Sequence, residues 1–169
     1  MSKMRLLIVE GQVEKKFFKD FKEQLKFPCN IKVFNIAQNI LKLSSLGIRY
    51  DYIGFVIDAD RYEDCHVKKI IQNFQSVNAK QKSIFIQVPN FEQEFATIQK
   101  IKIDRMYEQF GACSASEFKK NFLAHEDISK KIKNIDFPNL YIRDSDLKTK
   151  LYKNGIPKKS FKIGKDIFR

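Results

Sequence analysis

Two short apolar runs, each ending in carboxylates, constrain this chain most. Leu6-Leu7-Ile8-Val9 runs into Glu10-Gly11, and Phe55-Val56-Ile57 runs into Asp58-Ala59-Asp60 about fifty residues later. Short continuous apolar runs of this kind suit strands buried on both faces of a parallel sheet. Glu10, Asp58 and Asp60 then fall at carboxyl ends of strands, the edge where open sheets gather ligands and catalytic groups. Carboxylates converging there repel one another unless a divalent cation sits between them, and a hard, oxygen-liganded ion such as Mg²⁺ meets that need. The alternative is a set of unrelated loop-facing acids.

The rest of the first ninety residues fits a sheet of parallel strands. Val13, Phe17, Phe21 and Leu25 recur every four residues among Glu14, Lys15, Lys16, Lys19, Lys22 and Glu23, which predicts an amphipathic helix ended by Phe27-Pro28. Ile31 to Ile36 alternates as a second strand. Ile40, Leu41, Leu43 and Leu46 predict a short helix over 38–46, stopped by Gly47. Tyr52 to Ile57 is the third strand, Val67, Ile70, Ile71, Phe74 and Val77 mark a helix, and Ser83 to Val88 is a fourth strand. Strands alternating with helices imply βαβ units with right-handed crossovers. Beyond Pro89 the pattern turns helical. Phe91, Phe95 and Ile98 share a face, Ser114 and Glu117 form a capping box before Phe118 and Phe122, and Ile128, Ile132 and Ile135 suggest a further helix. Leu140 to Ile142 reads as a late edge strand. The expected organisation is an α/β domain with a helical extension over 1–147 and a basic C-terminal tail over 148–169.

With 169 residues and 43% hydrophobic content the chain suits one domain with a single core. The apolar run before Glu10 is too short for a signal-peptide core and no stretch approaches a membrane span, so a cytoplasmic protein without membrane contact is expected. Cys29, Cys65 and Cys113 show no Cys-x-x-Cys and no paired His, which signals neither a disulfide framework nor a zinc site. His66 and His125 are isolated and read as surface or helix positions. The net charge of +12 suits a polyanionic partner. Lys outnumbers Arg 26 to 6, which points to a compositional bias as well. The charge is nevertheless segregated: Lys148, Lys150, Lys153, Lys158, Lys159, Lys162, Lys165 and Arg169 face only Asp166 in the last twenty-two residues. These eight are the candidate DNA or RNA contacts, the plain alternative being a solvated basic end. Tyr141, Tyr152, Phe161 and Phe168 either stack on bases or pin this segment to the domain.

Among the acids, Glu14 lies one helical turn beyond Glu10 and can return to the same rim, although an acid in a first turn also suits the helix dipole. Asp58 and Asp60, separated by one residue at a strand end, project to one side and can share a cation. Glu63 and Asp64 read as first-turn acids of the next helix. Taken together, Leu6-Leu7-Ile8-Val9-Glu10-Gly11-Gln12-Val13-Glu14 and Phe55-Val56-Ile57-Asp58-Ala59-Asp60 resemble the Toprim domain, the metal-binding fold shared by topoisomerases, primases, certain ribonucleases and phage-defence nucleases. The resemblance implies a Toprim-like parallel sheet of about four strands flanked by helices, with Glu10 as general acid/base and Asp58 and Asp60 binding Mg²⁺ or Mn²⁺. Pro89-Asn90-Phe91-Glu92-Gln93-Glu94-Phe95 is similar to the Asn-Pro-Cys-Phe-Glu motif of RloB-like Toprim proteins, which makes Glu92, and less directly Glu94, a further site acid. The Trp, Leu-rich stretch and His that follow that motif are absent here. The resemblance covers residues 5 to 98 and implies a stand-alone, metal-dependent nuclease acting on DNA or RNA, in the context of phage defence. Whether it forms a homo-oligomer or works with a partner ATPase stays open. Two rivals are kept: a non-catalytic Toprim-like nucleic-acid-binding or partner-regulating protein, and an α/β nuclease of the PIN kind.

Overall fold

The computed structural model describes residues 4–42, 50–60 and 62–168. Four strands, β1 (Arg5–Val9), β2 (Asn30–Val33), β3 (Tyr50–Asp58) and β4 (Ala79–Gln87), form an all-parallel sheet in the order β2-β1-β3-β4. The register sets Val9 beside Val33 on one side and Val56 on the other, and Asp58 beside Gln87. The α/β class expected from strand–helix alternation is thus the observed one.

Because side chains alternate across a strand, the sheet feeds two cores. Leu7, Val9, Val56 and Phe85 face α1 (Gln12–Asp20), α3 (Phe91–Ile98) and α5 (Ala115–Ala124), whose apolar stripes carry Val13, Phe17, Phe18, Phe95 and Phe122. Leu6, Ile8, Phe55, Ile57, Ile84 and Ile86 face α2 (Asp64–Ser76) and α7 (Asp146–Lys153). Phe17 is the hub of the first core, with the rings of Phe18, Phe21, Phe91, Phe95, Phe137 and Phe168 at 5.0 to 6.2 Å. The abundant phenylalanines therefore serve packing, as their periodicity suggested. Short helices α4 (Ile103–Gln109), α6 (Ile128–Lys131) and α8 (Gly164–Ile167) complete the chain. Asn90, Ser114 and Ser145 cap α3, α5 and α7 by accepting from the backbone N–H three residues on. Glu117 accepts from the Cys113 N–H at 2.8 Å, so the expected box closes one residue early. Among the described residues no helix is long and apolar enough to cross a membrane.

Several segments differ from their sequence patterns, each for a tertiary reason. The second strand ends at Val33 rather than Ile36. Residues 38–42 are a loop: the buried Asn73 of α2 donates to the carbonyls of Ile36 and Asn39 and accepts from the Leu41 N–H, replacing helical bonds. The remainder of the helix expected over 38–46, with Leu43, Leu46 and Gly47, lies outside the described residues. Helix α6 stops at Lys131, short of Ile132 and Ile135. Leu140 to Ile142 is a turn, with Tyr141 at a φ of 63°. Glu94 holds it there. This carboxylate, 1% exposed, accepts from the Val88 N–H at 3.0 Å and the Tyr141 N–H at 3.2 Å, and pairs with Arg143 at 3.0 Å.

The basic C-terminal segment is folded onto the domain through 168. Leu151, Ile156, Ile167 and Phe168 are buried. The Lys162 N–H donates to the Ile84 carbonyl, and the Lys26 N–H donates to that of Ile167. Phe168 stacks on Phe137 at 4.5 Å and on Phe18 at 5.7 Å, while Phe161 packs against the second core. Gly164 is required by close approach, since a Cβ there would overlap the Phe137 carbonyl. Tyr152 remains exposed.

Removing one partner of a buried ion pair leaves the other charge uncompensated, at about 3–5 kcal/mol. The Arg143 side chain is 33% exposed, so Arg143→Ala is expected to cost less, about 2 kcal/mol in urea unfolding. Arg143→Lys should recover part of that loss.

Candidate active site at the carboxyl edge of the sheet

Parallel pairing of β1 with β3 puts Glu10 and Asp58 on neighbouring strand ends. Gly11 is the extended N-cap of α1, and a Cβ there would lie 2.7 Å from Glu14 Oε2. Glycine at that position leaves room for the Glu14 side chain to turn back over the strand end. Glu14 is accordingly 6% exposed despite its place in a first helical turn. Glu92 arrives from the next unit: β4 ends at Gln87, Asn90 caps α3, and the second residue of that helix is Glu92, 4% exposed. Lys119 of α5 reaches over to Glu92, with Nζ 3.0 Å from Oε1 in an ion pair without hydrogen-bond alignment. Glu10, Glu14, Asp58, Glu92, Lys119 and Asn35 all line one cleft of about 340 Å³.

Buried carboxylates without enough countercharge hold their protons. Burial pushes Asp58 up to about 9, and the charges of Glu14, Glu10, Asp60 and Glu92 add to it. Its Oδ1 is buried with no hydrogen-bond partner among the described residues. Glu10 is raised to about 7, again chiefly by burial, with Glu14 and Asp60 raising it further. The Tyr62 hydroxyl, donating to Glu10 Oε1 at 3.2 Å, pulls the other way. Glu14 is raised by burial and then by Glu92, against its own backbone N–H. Burial opposes the Lys119 ammonium, yet its contact with Glu92 and the charges of Glu14 and Asp58 leave its pKa raised.

Of the acids singled out in the sequence, the fold brings Glu10, Glu14, Asp58 and Glu92 to one cleft. Asp60 is exposed at the rim, outside the cleft lining, although Glu10 and Asp58 feel its charge. Glu94, two residues from Glu92, is committed to the Arg143 turn. Glu63 caps α2, where its N–H donates to His66 Nδ1 at 3.3 Å. The basic residues of the last segment are dispersed. Lys148 pairs with Asp144 at 2.6 Å and Lys150 with Asp64 at 3.6 Å, Lys153 and Lys158 are exposed, and Lys159 and Lys162 line a cleft beside Lys80, Gln81 and Lys82 in the amino half of β4. The Lys165 carbonyl accepts from Lys26, and Arg169 lies outside the described residues. Tyr62, Asn35 and Lys119 are site residues that the sequence did not single out. Tyr62 follows Asp60 by two positions and was open to inspection, whereas Lys119 reaches the site only through the docking of α5 on α1.

The donors around the cleft are hard oxygens with excess negative charge, so Glu10, Glu14, Asp58 and Glu92 are the residues that could hold a hard cation. Among the described residues, no group of three or more His, Cys, Asp or Glu has the geometry to hold a metal ion. Fold and site define a four-stranded, all-parallel α/β domain with a carboxylate cluster at its carboxyl edge. No family model, no curated protein and no solved structure matches the chain.

The raised pKa values set a direction for stability against pH. Between about 4 and 7 for Glu10, and between about 4 and 9 for Asp58, the folded protein holds protons that the unfolded chain has released. Their stabilising contribution is therefore complete below pH 4 and is lost as pH rises through those folded values. Metal-free protein should show a falling Tm from pH 5 to pH 9. Asp58→Asn should flatten that slope and raise Tm at pH 8, by about 2–4 °C for each kcal/mol of repulsion relieved.

Proposed function

We propose that this chain is a metal-dependent phosphodiesterase acting on DNA or RNA. One observation carries the reading: four carboxylates from three strand–helix junctions line one cleft, and the Asp58 Oδ1 among them is buried without a hydrogen-bond partner among the described residues. Crowding of this kind is destabilising by itself and becomes favourable when a cation shares the charges. Asp58 with Glu10, Glu14 or Glu92 would hold Mg²⁺ or Mn²⁺, with Asp60 at the rim. When bound, such an ion polarises a phosphoryl oxygen and lowers the pKa of water. Glu10, raised to about 7, suits proton exchange with an attacking water near neutral pH, and Tyr62 fixes the orientation of its carboxylate. Lys119, half-exposed beside Glu92, offers a positive charge to a phosphate entering the cleft. The resemblance to Toprim nucleases supports the same assignment of Glu10 and Asp58 and a role in phage defence.

Asp58→Ala should abolish Mg²⁺- or Mn²⁺-supported cleavage of labelled oligonucleotides while the far-ultraviolet circular dichroism is retained. Glu10→Gln should lower kcat by about 10²–10⁴, the usual contribution of general acid–base catalysis. Cleavage unchanged in Asp58→Ala contradicts the proposal. One observation favours a second reading, a non-catalytic nucleic-acid-binding protein: no three of the acids stand at metal-holding geometry among the described residues. On that reading oligonucleotides bind equally with and without divalent ions, and none is cut in Mg²⁺ or Mn²⁺.

A further inference from the structure

We infer that a single-stranded phosphodiester chain reaches the carboxylate cleft along a lysine-lined groove between α1 and the α5–α6 turn, and that the C-terminal lysines are not its track. The inference rests on the phosphodiesterase reading for what happens in the cleft, and on separate observations for the path. A second cleft of about 530 Å³ runs along α1 and adjoins the first, since Gln12 and Leu123 line both. Lys15 and Lys19 sit one turn apart on α1, about 6 Å at 1.5 Å per residue, and Lys22, in the short 3-10 turn that follows α1, continues the lining of this cleft. All three are exposed, and none has an ion-pair partner among the described residues.

The groove also carries three acids, two of them paired with lysines of its own lining. Asp20 pairs with Lys16 at 2.8 Å and accepts from the Ile128 N–H, Asp127 pairs with Lys130 at 3.8 Å and accepts from Ser129, and Glu126 is exposed, against five lysines in all. These bonds tie α1 to the start of α6 and leave Lys15, Lys19 and Lys22 facing solvent. At the junction of the two clefts Leu123 is 43% exposed, an apolar surface for a base or sugar beside a charged track. The recess discriminates between strand types. Glu14 and Glu92 are 6% and 4% exposed, so a phosphate must descend into the cleft. A single strand can turn one phosphate inward, whereas a duplex, stiff over about 50 nm, cannot bend to do so without cost. Lys159, by contrast, lies with Lys80, Gln81 and Lys82 at the amino half of β4, roughly 17–23 Å along the strand from Gln87 at 3.3 Å per residue, and Lys162, whose N–H donates to the Ile84 carbonyl, lies roughly 10 Å from it on the same scale.

The test is fluorescence anisotropy of labelled 20-mers on the full chain carrying Asp58→Asn, in EDTA, so that binding is read without cleavage. The triple variant Lys15→Gln/Lys19→Gln/Lys22→Gln should bind single strands roughly tenfold more weakly. Its slope of log affinity against log salt should be shallower by about 2, from three phosphate contacts at 0.7 each. The charge-matched control Lys153→Gln/Lys158→Gln/Lys159→Gln should leave both quantities unchanged, and a duplex of equal length should bind more weakly than the single strand. Oligodeoxythymidine and oligouridine arms distinguish DNA from RNA. An equal or larger loss in the C-terminal control, no loss in the α1 variant, or preference for duplex overturns the path. Groove-dependent binding without any Asp58-dependent cleavage keeps the path and removes the phosphodiesterase reading, while cleavage without groove-dependent binding does the reverse.

Discussion

The parallel pairing of β1 with β3 is the constraint on which the rest of the site depends. Once Val9 and Val56 are paired in register, the strand ends that carry Glu10 and Asp58 lie next to each other, and the turns that follow aim both carboxylates into one cleft. Burial then does the electrostatic work. The turn at Gly11 folds Glu14 over the strand end, α3 brings Glu92 from the β4 side, and like charges accumulate in a recess with little water to screen them. Such an arrangement costs stability in the absence of a cation, and proteins keep costs of that kind mostly at functional sites.

Glu92 and Glu94 show how local partners separate two acids on one helix turn. Both are almost fully buried in α3. Glu94 receives two backbone N–H groups and a guanidinium, and so becomes a tether between the end of β4 and the turn at Tyr141. Glu92 pairs, among the described residues, with Lys119 alone, which is itself half-exposed, and it keeps its face to the cleft. Placing one acid in the framework and its neighbour in the cleft requires the turn at Tyr141 and Arg143 to fold back onto α3, which gives that segment a structural task as well.

Much of this was legible from periodicity. The strands ending at Glu10 and Asp58, the helix of Val13 and Phe17 and the helix of Val67 and Ile70 are continuous or regular patterns, and burial on both sheet faces follows from them. Features set by distant partners were not. Asn73 holds residues 36 to 41 from across the core, Glu94 bends Leu140 to Ile142 out of a strand, and Phe168 stacks on Phe137, so none of these carries a local signal. The same limit applied to charge. Charge is dense in sequence over the last twenty-two residues, yet folding disperses those side chains and sets Lys15, Lys19 and Lys22 along the cleft that adjoins that of the acids.

The central claim is that the buried acids at the carboxyl edge share a divalent cation. Electron paramagnetic resonance titration of metal-free protein with Mn²⁺ tests it directly, because bound Mn²⁺ loses the sharp six-line spectrum of the free ion. The account predicts at least one stoichiometric site in the wild-type chain that disappears in Asp58→Asn, with competition by Mg²⁺. Free-ion signal rising linearly from the first addition, or an identical site in Asp58→Asn, would contradict it.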